Sequence, residues 1–468
     1  MNLIAELQDI AGAAHVLTGE ETQKYGTDWT KNYVAEPLAV LRPANTAEVS
    51  EIVKRCAAAG TPIVPVSGNT GLAGGTYAAG SVMISLERMN TIREIRPDAR
   101  IAVVDAGVIL SNIHDAVAEH DLVFPLTLGA RGTALIGGCL STNAGGSNVV
   151  RYGSTRGLCL GLEVVLPDGR IMDLMSELHK DNSGYDLKDL MIGAEGTLGL
   201  ITGAVLRLFP KPISYATAMV AMPNLDAALD LLHRLQETTG GAVEAFEYMP
   251  RQYIVDHMSL FPEARAPFEE MHEVNIMVEI GATDPRDGAV QSDGSTPVIS
   301  NLESILGEMM EDGHVLDAVV AQSETQRAEM WDRREAAGVV SLTPLPVILH
   351  DLCVPVDKVA EFERRVDQRL AELDPKASSV SVTHLGDGNV HYTIRPSNSD
   401  KDHADRLTEA VEDVTLDLGG SFSAEHGVGL SKLNSMSRRK DPVALDVMRA
   451  IKSALDPKNI MNPGKVVP

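Results

Sequence analysis

The placement of glycine constrains this 468-residue chain most: 25 of its 40 glycines lie in residues 1–203 and only 15 in the remaining 265. Glycine is needed where backbone must pass close to another group or adopt a positive φ. The first part is therefore expected to bring its backbone against a ligand. Three loops concentrate the signal: Ser67-Gly68-Asn69-Thr70-Gly71-Leu72-Ala73-Gly74-Gly75, Gly137–Gly146 (GGCLSTNAGG) and Gly193–Gly199 (GAEGTLG). The first follows a strand predicted over Pro62–Val66, and at this density successive N–H groups can converge on an anion such as a pyrophosphate. It is neither G-x-G-x-x-G nor G-x-x-x-x-G-K-[ST], so the two commonest nucleotide loops fail their own tests. One such loop could equally be a turn, but three exceed what turns need.

Composition narrows the class. Lysine plus arginine total 40 against 65 aspartate plus glutamate, a net charge of −25 that repels phosphate backbones and anionic lipids and argues against a nucleic-acid partner. The four cysteines, Cys56, Cys139, Cys159 and Cys353, form no C-x-x-C pair, which argues against a zinc ribbon, an iron–sulfur centre or a dithiol and predicts four buried thiols. The acidic start MNLIAELQDI is unlike a signal or transit peptide, and no apolar run approaches about 18 residues, so no membrane span and a cytoplasmic location are expected.

At roughly 150 residues per domain, two or three domains are expected. Thr46 reads as the N-cap of a helix ending before Gly60, and short strands are predicted at Val82–Leu86, Ile101–Ala106 and Leu162–Leu166. From about Ser214 the units lengthen to strand then helix, as in Ala216–Ala221 before Leu225–Glu237 and Val347–Val354 before Lys358–Leu373, which reads as a second α+β domain. Thr283–Pro297 is polar and rich in turn formers, a predicted surface excursion.

Near the C-terminus, Val380–Leu385 and Val390–Ile394 read as strands joined by the turn Gly386-Asp387-Gly388-Asn389. Pairing Leu385 with Val390 would set His384 directly opposite His391, with Cβ atoms roughly 5 Å apart, close enough for two imidazoles to share a cation. Glu425, in Ser423-Ala424-Glu425-His426-Gly427, is the best candidate for a third ligand. Two histidines and a carboxylate suit a catalytic Zn2+ or Mn2+ site. A plain cross-strand histidine pair is the alternative. His426, beside that carboxylate, is the candidate general base, since an imidazole with a pKa near 6.5 can take a hydroxyl proton. Asp387 and Asn389 could support the site, although turn chemistry explains them equally.

Taken together, SGNTGLAGG, LGARGTALIGGCLSTNAGG, RYGSTRGLCLGLEVVLPDG, KDNSGYDLKDLMIGAEGTLGLIT, HLGDGNVHY, SAEHGVG and MNPGK, in that order, resemble the flavin-dependent D-2-hydroxyacid dehydrogenases of the vanillyl-alcohol-oxidase fold. The resemblance implies an α+β chain: a two-subdomain PCMH-type FAD-binding domain (1–210), an α+β cap with a large antiparallel sheet carrying the metal site (211–425), and a segment (426–468) returning to complete the FAD site. It implies that Ser67, Gly68, Asn69, Thr70, Gly71 and Leu72 hold the pyrophosphate. Pro125, Leu128, Gly129, Gly132, Gly138, Asn143, Ala144 and Gly146 would line the cofactor, Ile201 would face the adenine side, and Glu425, Asn462 and Lys465 would reach the flavin. Some relatives attach FAD through a histidine in the first loop. Ser67–Gly75 has none, so non-covalent FAD is expected.

The resemblance also implies a divalent metal on His384, His391 and Glu425, and gives Arg334 the substrate's C1 carboxylate, where a guanidinium offers bidentate recognition. The neighbouring Arg333 is expected to be solvated. Similar D-2-hydroxyglutarate dehydrogenases hold a second carboxylate with a threonine and a lysine at the positions of Gly338 and Leu349, and have an asparagine where Thr393 stands. Asp351-Leu352-Cys353-Val354-Pro355 leans instead toward D-lactate dehydrogenases, and His350 is the candidate replacement cation. The expected reaction is oxidation of a D-2-hydroxy acid to the 2-oxo acid, with electrons passed to an electron-transfer flavoprotein, a cytochrome or a quinone. D-lactate or glycolate as substrate is the alternative within the family, and a non-catalytic flavin-binding subunit is the alternative of another class. A homodimer is open to such a chain.

Overall fold

The helix Thr46–Ala59 forms where the apolar spacing of Val49, Ile52, Val53 and Cys56 predicts it, but Asn45 caps it, accepting the Glu48 N–H. Thr46 is the first helical residue, and its hydroxyl donates to Glu163 at 2.6 Å. The expected cap is thus displaced by one residue, because Asn45 takes the extended conformation that lets its side chain reach back (φ −158°). In the computed structural model, which describes residues 3–292 and 294–468, the chain divides into two units.

The first unit comprises residues 1–145, 153–210 and 425–468 and contains, among the described residues, a four-stranded, a five-stranded and a two-stranded sheet. Val16–Leu17 (β1), Ala39–Leu41 (β2), Ile63–Val66 (β3) and Val82–Ser85 (β4) lie in the order β1-β2-β4-β3, with β2 and β3 parallel to β4. Ile92–Arg96 (β5) and Ile101–Asp105 (β6) precede the short Leu122–Val123 (β7). Cys159–Val165 (β8), Ile171–Leu174 (β9) and Leu200–Arg207 (β10) then complete an antiparallel sheet of order β5-β6-β10-β8-β9, while Phe209–Pro210 (β11) pairs with β7. The last segment returns to this unit, where Met461 bridges in parallel to Ile63.

The second unit comprises residues 146–152 and 211–424. Its sheet is built from Ser214–Met222 (β12), Val243–Pro250 (β13), Val274–Ala282 (β14), Asp317–Val320 (β15), Ile348–Cys353 (β16), Ser378–His384 (β17) and Asn389–Arg395 (β18). The order is β15-β12-β14-β13-β17-β18-β16, antiparallel throughout. One face packs on the helices Leu225–Thr239, Pro297–Glu311, Val359–Leu373 and Lys401–Asp417 through Phe246, Ile276, Leu352, Tyr392 and Ile394. The other packs Met219, Met249, Met277, Val380 and Val382 against Tyr253, Met330 and Val340 of three further helices. Residues 146–152 were expected with residues 1–210. They group here because Arg151 Nη1 and the Tyr152 hydroxyl both donate to Glu244 at 2.8 Å. Of the excursion Thr283–Pro297, Asp293 lies outside the described residues, and most of the rest is exposed.

Among the described residues no helix is long and apolar enough to cross a membrane. Three cysteines are buried as expected, but Cys353, at the end of β16, is half-buried. Asn45→Ala should lower the unfolding free energy by about 1 kcal/mol through loss of the cap, measured by urea denaturation.

Candidate active site

In the first unit the glycine loops converge. A Cβ on Gly68 would lie 2.2 Å from the Thr133 carbonyl oxygen, and one on Gly138 would lie 2.9 Å from the Ser67 Cβ, so the stretch from Pro125 to Gly138 passes directly against the Ser67–Leu72 loop only because both residues are glycine. Asn69 takes the left-handed conformation (φ +53°), donates to the Thr27 carbonyl at 2.8 Å and accepts from Thr76. The N–H groups of Gly68 to Leu72 donate to no acceptor among the described residues. Pro125 is buried, Leu128 half-buried, and Gly129 and Gly132 exposed. Asn143 ends the helix Ile136–Thr142 in the left-handed conformation, and its side chain accepts the Arg156 N–H. Ala144 is fixed through its carbonyl to Thr155. Ile201 is buried on β10 opposite Val164. Gly146 begins the stretch that groups with the second unit.

Glu195, in the third glycine loop, joins the C-terminal segment to these loops. Its carboxylate accepts the N–H groups of Val428 and Gly429 at 2.6 and 2.8 Å, and its carbonyl accepts the Asn462 amide at 2.7 Å. Burial pushes its carboxyl up, against the lowering effect of the two N–H donors. Glu425 lies against Gly145, where a Cβ would come 2.4 Å from Oε1. The buried Asn462 Oδ1 has no hydrogen-bond partner, and burial brings the Lys465 ammonium, which donates to the Tyr77 carbonyl, down to about 8. Unused N–H donors, a backbone bare of side chains, an orphaned amide oxygen and a buried cation fit a flavin dinucleotide.

In the second unit, strand alternation assembles a charged group on one sheet face. Glu247 on β13 pairs directly with His384 on β17, and Asp351 on β16 pairs with His391 on β18. The hairpin register differs from the expected one: His384 stands opposite Asn389, and His391 opposite Val382. Leu385 is in the turn, which closes when Asp387 and Gly388 donate to the His384 carbonyl. The register has moved by two residues, so both histidines stay on one face as diagonal neighbours, with ring centroids 5.3 Å apart.

Glu247 is fully buried. Its Oε2 accepts Arg334 Nε at 2.6 Å, its Oε1 lies 2.9 Å from His384 Nδ1, and Arg334 Nη2 is 3.4 Å from both nitrogens of that ring. Burial alone would raise the Glu247 carboxyl, but Arg334 and His384 hold it below the usual range. The Asp351 carboxylate accepts the Asn389 amide at 3.1 Å and lies 3.8 Å from His391 Nδ1. It also accepts the Ala424 N–H, one residue before Glu425. Thr393 and Leu349 pair with each other on this face.

His350 does not join them. It precedes Asp351 on the same strand and so points to the opposite face, where Nδ1 lies 3.2 Å from the Tyr392 carbonyl. Arg333 is buried, not solvated, because it hydrogen-bonds the Arg265 carbonyl.

Sequence reasoning missed Glu247, Glu279 and Asp351. Glu279 on β14 accepts Arg327 at two atoms, both at 2.7 Å, and Trp331 Nε1 at 2.8 Å. Arg327, Trp331 and Arg334 follow helical spacing on Glu324–Glu335, so this contact fixes the helix that presents Arg334. The overlooked signal was a carboxylate inside apolar strands: AFEYM, IMVEI and LHDLC.

Comparison with known proteins decides the family. Residues 37–175 match the model described as "FAD binding domain", and residues 211–466 match "FAD linked oxidases, C-terminal domain". The chain belongs to the FAD-linked oxidases. Within that family it is 34% identical to a D-2-hydroxyglutarate dehydrogenase of Xanthomonas citri pv. viticola, over 99% of this chain and 96% of that protein. It is 33% identical to the mitochondrial D-2-hydroxyglutarate dehydrogenase of Bos taurus, over 99% of this chain and 83% of that protein. Among solved structures, p-cresol methylhydroxylase with substrate bound superposes with a TM-score of 0.73 at 17% identity, covering 99% of this chain and 96% of that one, which establishes the shared PCMH-type fold.

Two predictions follow from the first unit's geometry. Gly68→Ala should reduce FAD retention at least tenfold, read as flavin fluorescence after dialysis, because its methyl group collides with the Thr133 carbonyl. For Lys465 the charged form is the one burial disfavours, so between pH 8 and the ordinary value of 10.5 the folded apoprotein has released a proton that the unfolded chain still holds. The unfolding free energy of wild-type apoprotein minus that of Lys465→Met should therefore rise with pH in this window, by up to about 1.4 kcal/mol per unit.

Proposed function

We propose that this FAD-linked oxidase oxidises a D-2-hydroxy acid to the 2-oxo acid. The observation that carries the reading is the buried Arg334 guanidinium locked beside His384, with His391 and Asp351 on the same sheet face: a carboxylate receptor next to an imidazole pair. The names of the relatives support the substrate class. Arg334 binds the C1 carboxylate, and its Nη1, which has no hydrogen bond among the described residues, is available for it. His384, His391 and Glu425 would hold a divalent ion, Zn2+ or Mn2+. Support comes from the donor set and from Ala424, whose N–H on Asp351 ties the chain just before Glu425 to the partner of His391. Bound FAD would supply a hydride acceptor for C2, and a divalent ion on these residues would supply polarisation of the 2-hydroxyl. His426 takes the hydroxyl proton. FAD is held without a covalent bond, and the electrons leave to an external acceptor, an electron-transfer flavoprotein, cytochrome or quinone.

The distal pocket separates this chain from its relatives. Leu349 is 46% exposed beside Thr393, and a Cβ on Gly338 would meet nothing within 4 Å. The basic residue next along β18 on this face, Arg395, is already paired with Asp256 at 2.7 Å. A second substrate carboxylate facing Leu349 would lack a charge-assisted partner and be desolvated, a penalty of about 2–4 kcal/mol. We therefore place D-2-hydroxyglutarate within a broader set of substrates that includes D-lactate and D-2-hydroxybutyrate.

Anaerobic bleaching of the flavin band by a panel of D- and L-2-hydroxy acids tests the reading directly; no bleaching by any D-acid would refute it. In kcat/KM, D-2-hydroxyglutarate should exceed D-lactate by less than about a hundredfold, and a larger preference would mean that another cation takes the distal carboxylate. His426→Ala should slow flavin reduction by roughly two to four powers of ten while FAD and metal stay bound. His391→Ala should retain FAD but lose metal and most substrate-dependent reduction. Wild-type rates in either variant would reassign the base or the ligand.

A further inference from the structure

We infer that Glu247 is a positioning residue that serves carboxylate recognition and metal binding together, one oxygen to each. This rests on the roles proposed above for Arg334 and His384. The division is visible in the contacts: Oε2 takes Arg334 Nε at 2.6 Å and Oε1 takes His384 Nδ1 at 2.9 Å. It is built into the backbone, because Glu247 and His384 are directly paired residues of adjacent strands, and no rotation of either side chain is needed to bring them together. The glutamate is fully buried.

Two consequences follow from elementary chemistry. A carboxylate can only accept, so the imidazole nitrogen facing it carries the hydrogen. That tautomer puts the lone pair of His384 on Nε2, the nitrogen a divalent ion would meet. The second consequence concerns charge. Arg334 Nη2 stands 3.4 Å from both nitrogens of the ring that would bear a divalent ion, an arrangement that is repulsive on its own. The Glu247 charge lies against both groups and offsets that repulsion, so guanidinium and metal ion can occupy one wall of the site and take the carboxylate and the hydroxyl of one substrate. On the arginine side, Glu279 holds Arg327 and Trp331 of the same helix, which keeps Arg334 at the depth Glu247 requires.

The test is Glu247→Gln in the FAD-loaded protein, with three measurements. Zn2+ affinity, by competition with a chelator, should fall 10–100-fold, the usual size for loss of a carboxylate supporting a histidine ligand. KM for the best D-2-hydroxy acid should rise at least tenfold, while FAD content is unchanged. In protein labelled with 15N-histidine, the metal-free wild type should show His384 protonated at Nδ1, and the variant should show the two tautomers mixed. Unchanged Zn2+ affinity, a rise in KM without a loss of Zn2+ affinity, or a wild-type His384 protonated at Nε2 would each overturn the inference. The last is read on wild-type protein and decides the matter even if the variant does not fold. If wild-type protein binds Zn2+ with the expected tautomer but no 2-hydroxy acid bleaches its flavin, the substrate reading fails while the nitrogen and Zn2+ measurements still judge Glu247.

Discussion

Buried carboxylates facing two arginines of one helix, Arg334 buried and Arg327 half-buried, govern the second unit. Glu247 and Glu279 stand on adjacent strands of the seven-stranded sheet, on the face otherwise lined by Met249, Met277 and Val382, and both meet the single helix Glu324–Glu335. Isolated, either charge would be expensive to bury. Paired, they are tolerated, and removing one partner typically costs about 3–5 kcal/mol because the other is left uncompensated. The helix therefore has one depth and one rotation at which all four charges are satisfied. The two carboxylates thus hold one helix at both Arg327 and Arg334, the second close to its C-terminal end.

A shift in register nevertheless left His384 and His391 on one face. Strand periodicity decides the face, and the turn decides the register. The apolar pattern of Val380, Val382, Val390 and Ile394 was legible, and with it the shared face of His384 and His391. The sequence could not reveal that Leu385 belongs to the turn, since a buried leucine suits a strand end and a packed turn equally well. His350 shows the converse: its proximity in sequence to Leu349 and Asp351 suggested a shared role, and alternation alone places it on the far face.

The cofactor unit was legible through a different signal. Gly68 and Gly138 are glycines because backbone from distant segments crosses there, and such a constraint leaves its mark on composition. Glu195 left no comparable mark. Its place in GAEGTLG gives no hint that its carboxylate accepts the backbone of residues 428 and 429, more than two hundred positions away. Long-range pairings of buried carboxylates are invisible to local periodicity, so Glu195, Glu247 and Glu279 emerged only with the fold, whereas the close backbone approaches at Gly68 and Gly138 and the shared face of His384 and His391 depend on local geometry and were legible beforehand.

The interrupted composition of the first unit bears on synthesis. Residues 425–468 are translated only after the whole of 211–424, yet they supply Asn462, Lys465 and the bridge from Met461 to Ile63. A nascent chain emerging in order can fold the inserted unit as a body of its own, as domains generally do during translation. The sheet edge at Ile63 and the glycine loops must meanwhile wait with their last partners missing. Closing so long a loop is slow, and inserting a folded unit between its ends is a natural way to shorten the search, because a compact insert holds those ends nearer than a flexible chain of equal length. Flavin loading is thereby placed late in the life of the nascent chain, after the second unit has taken shape.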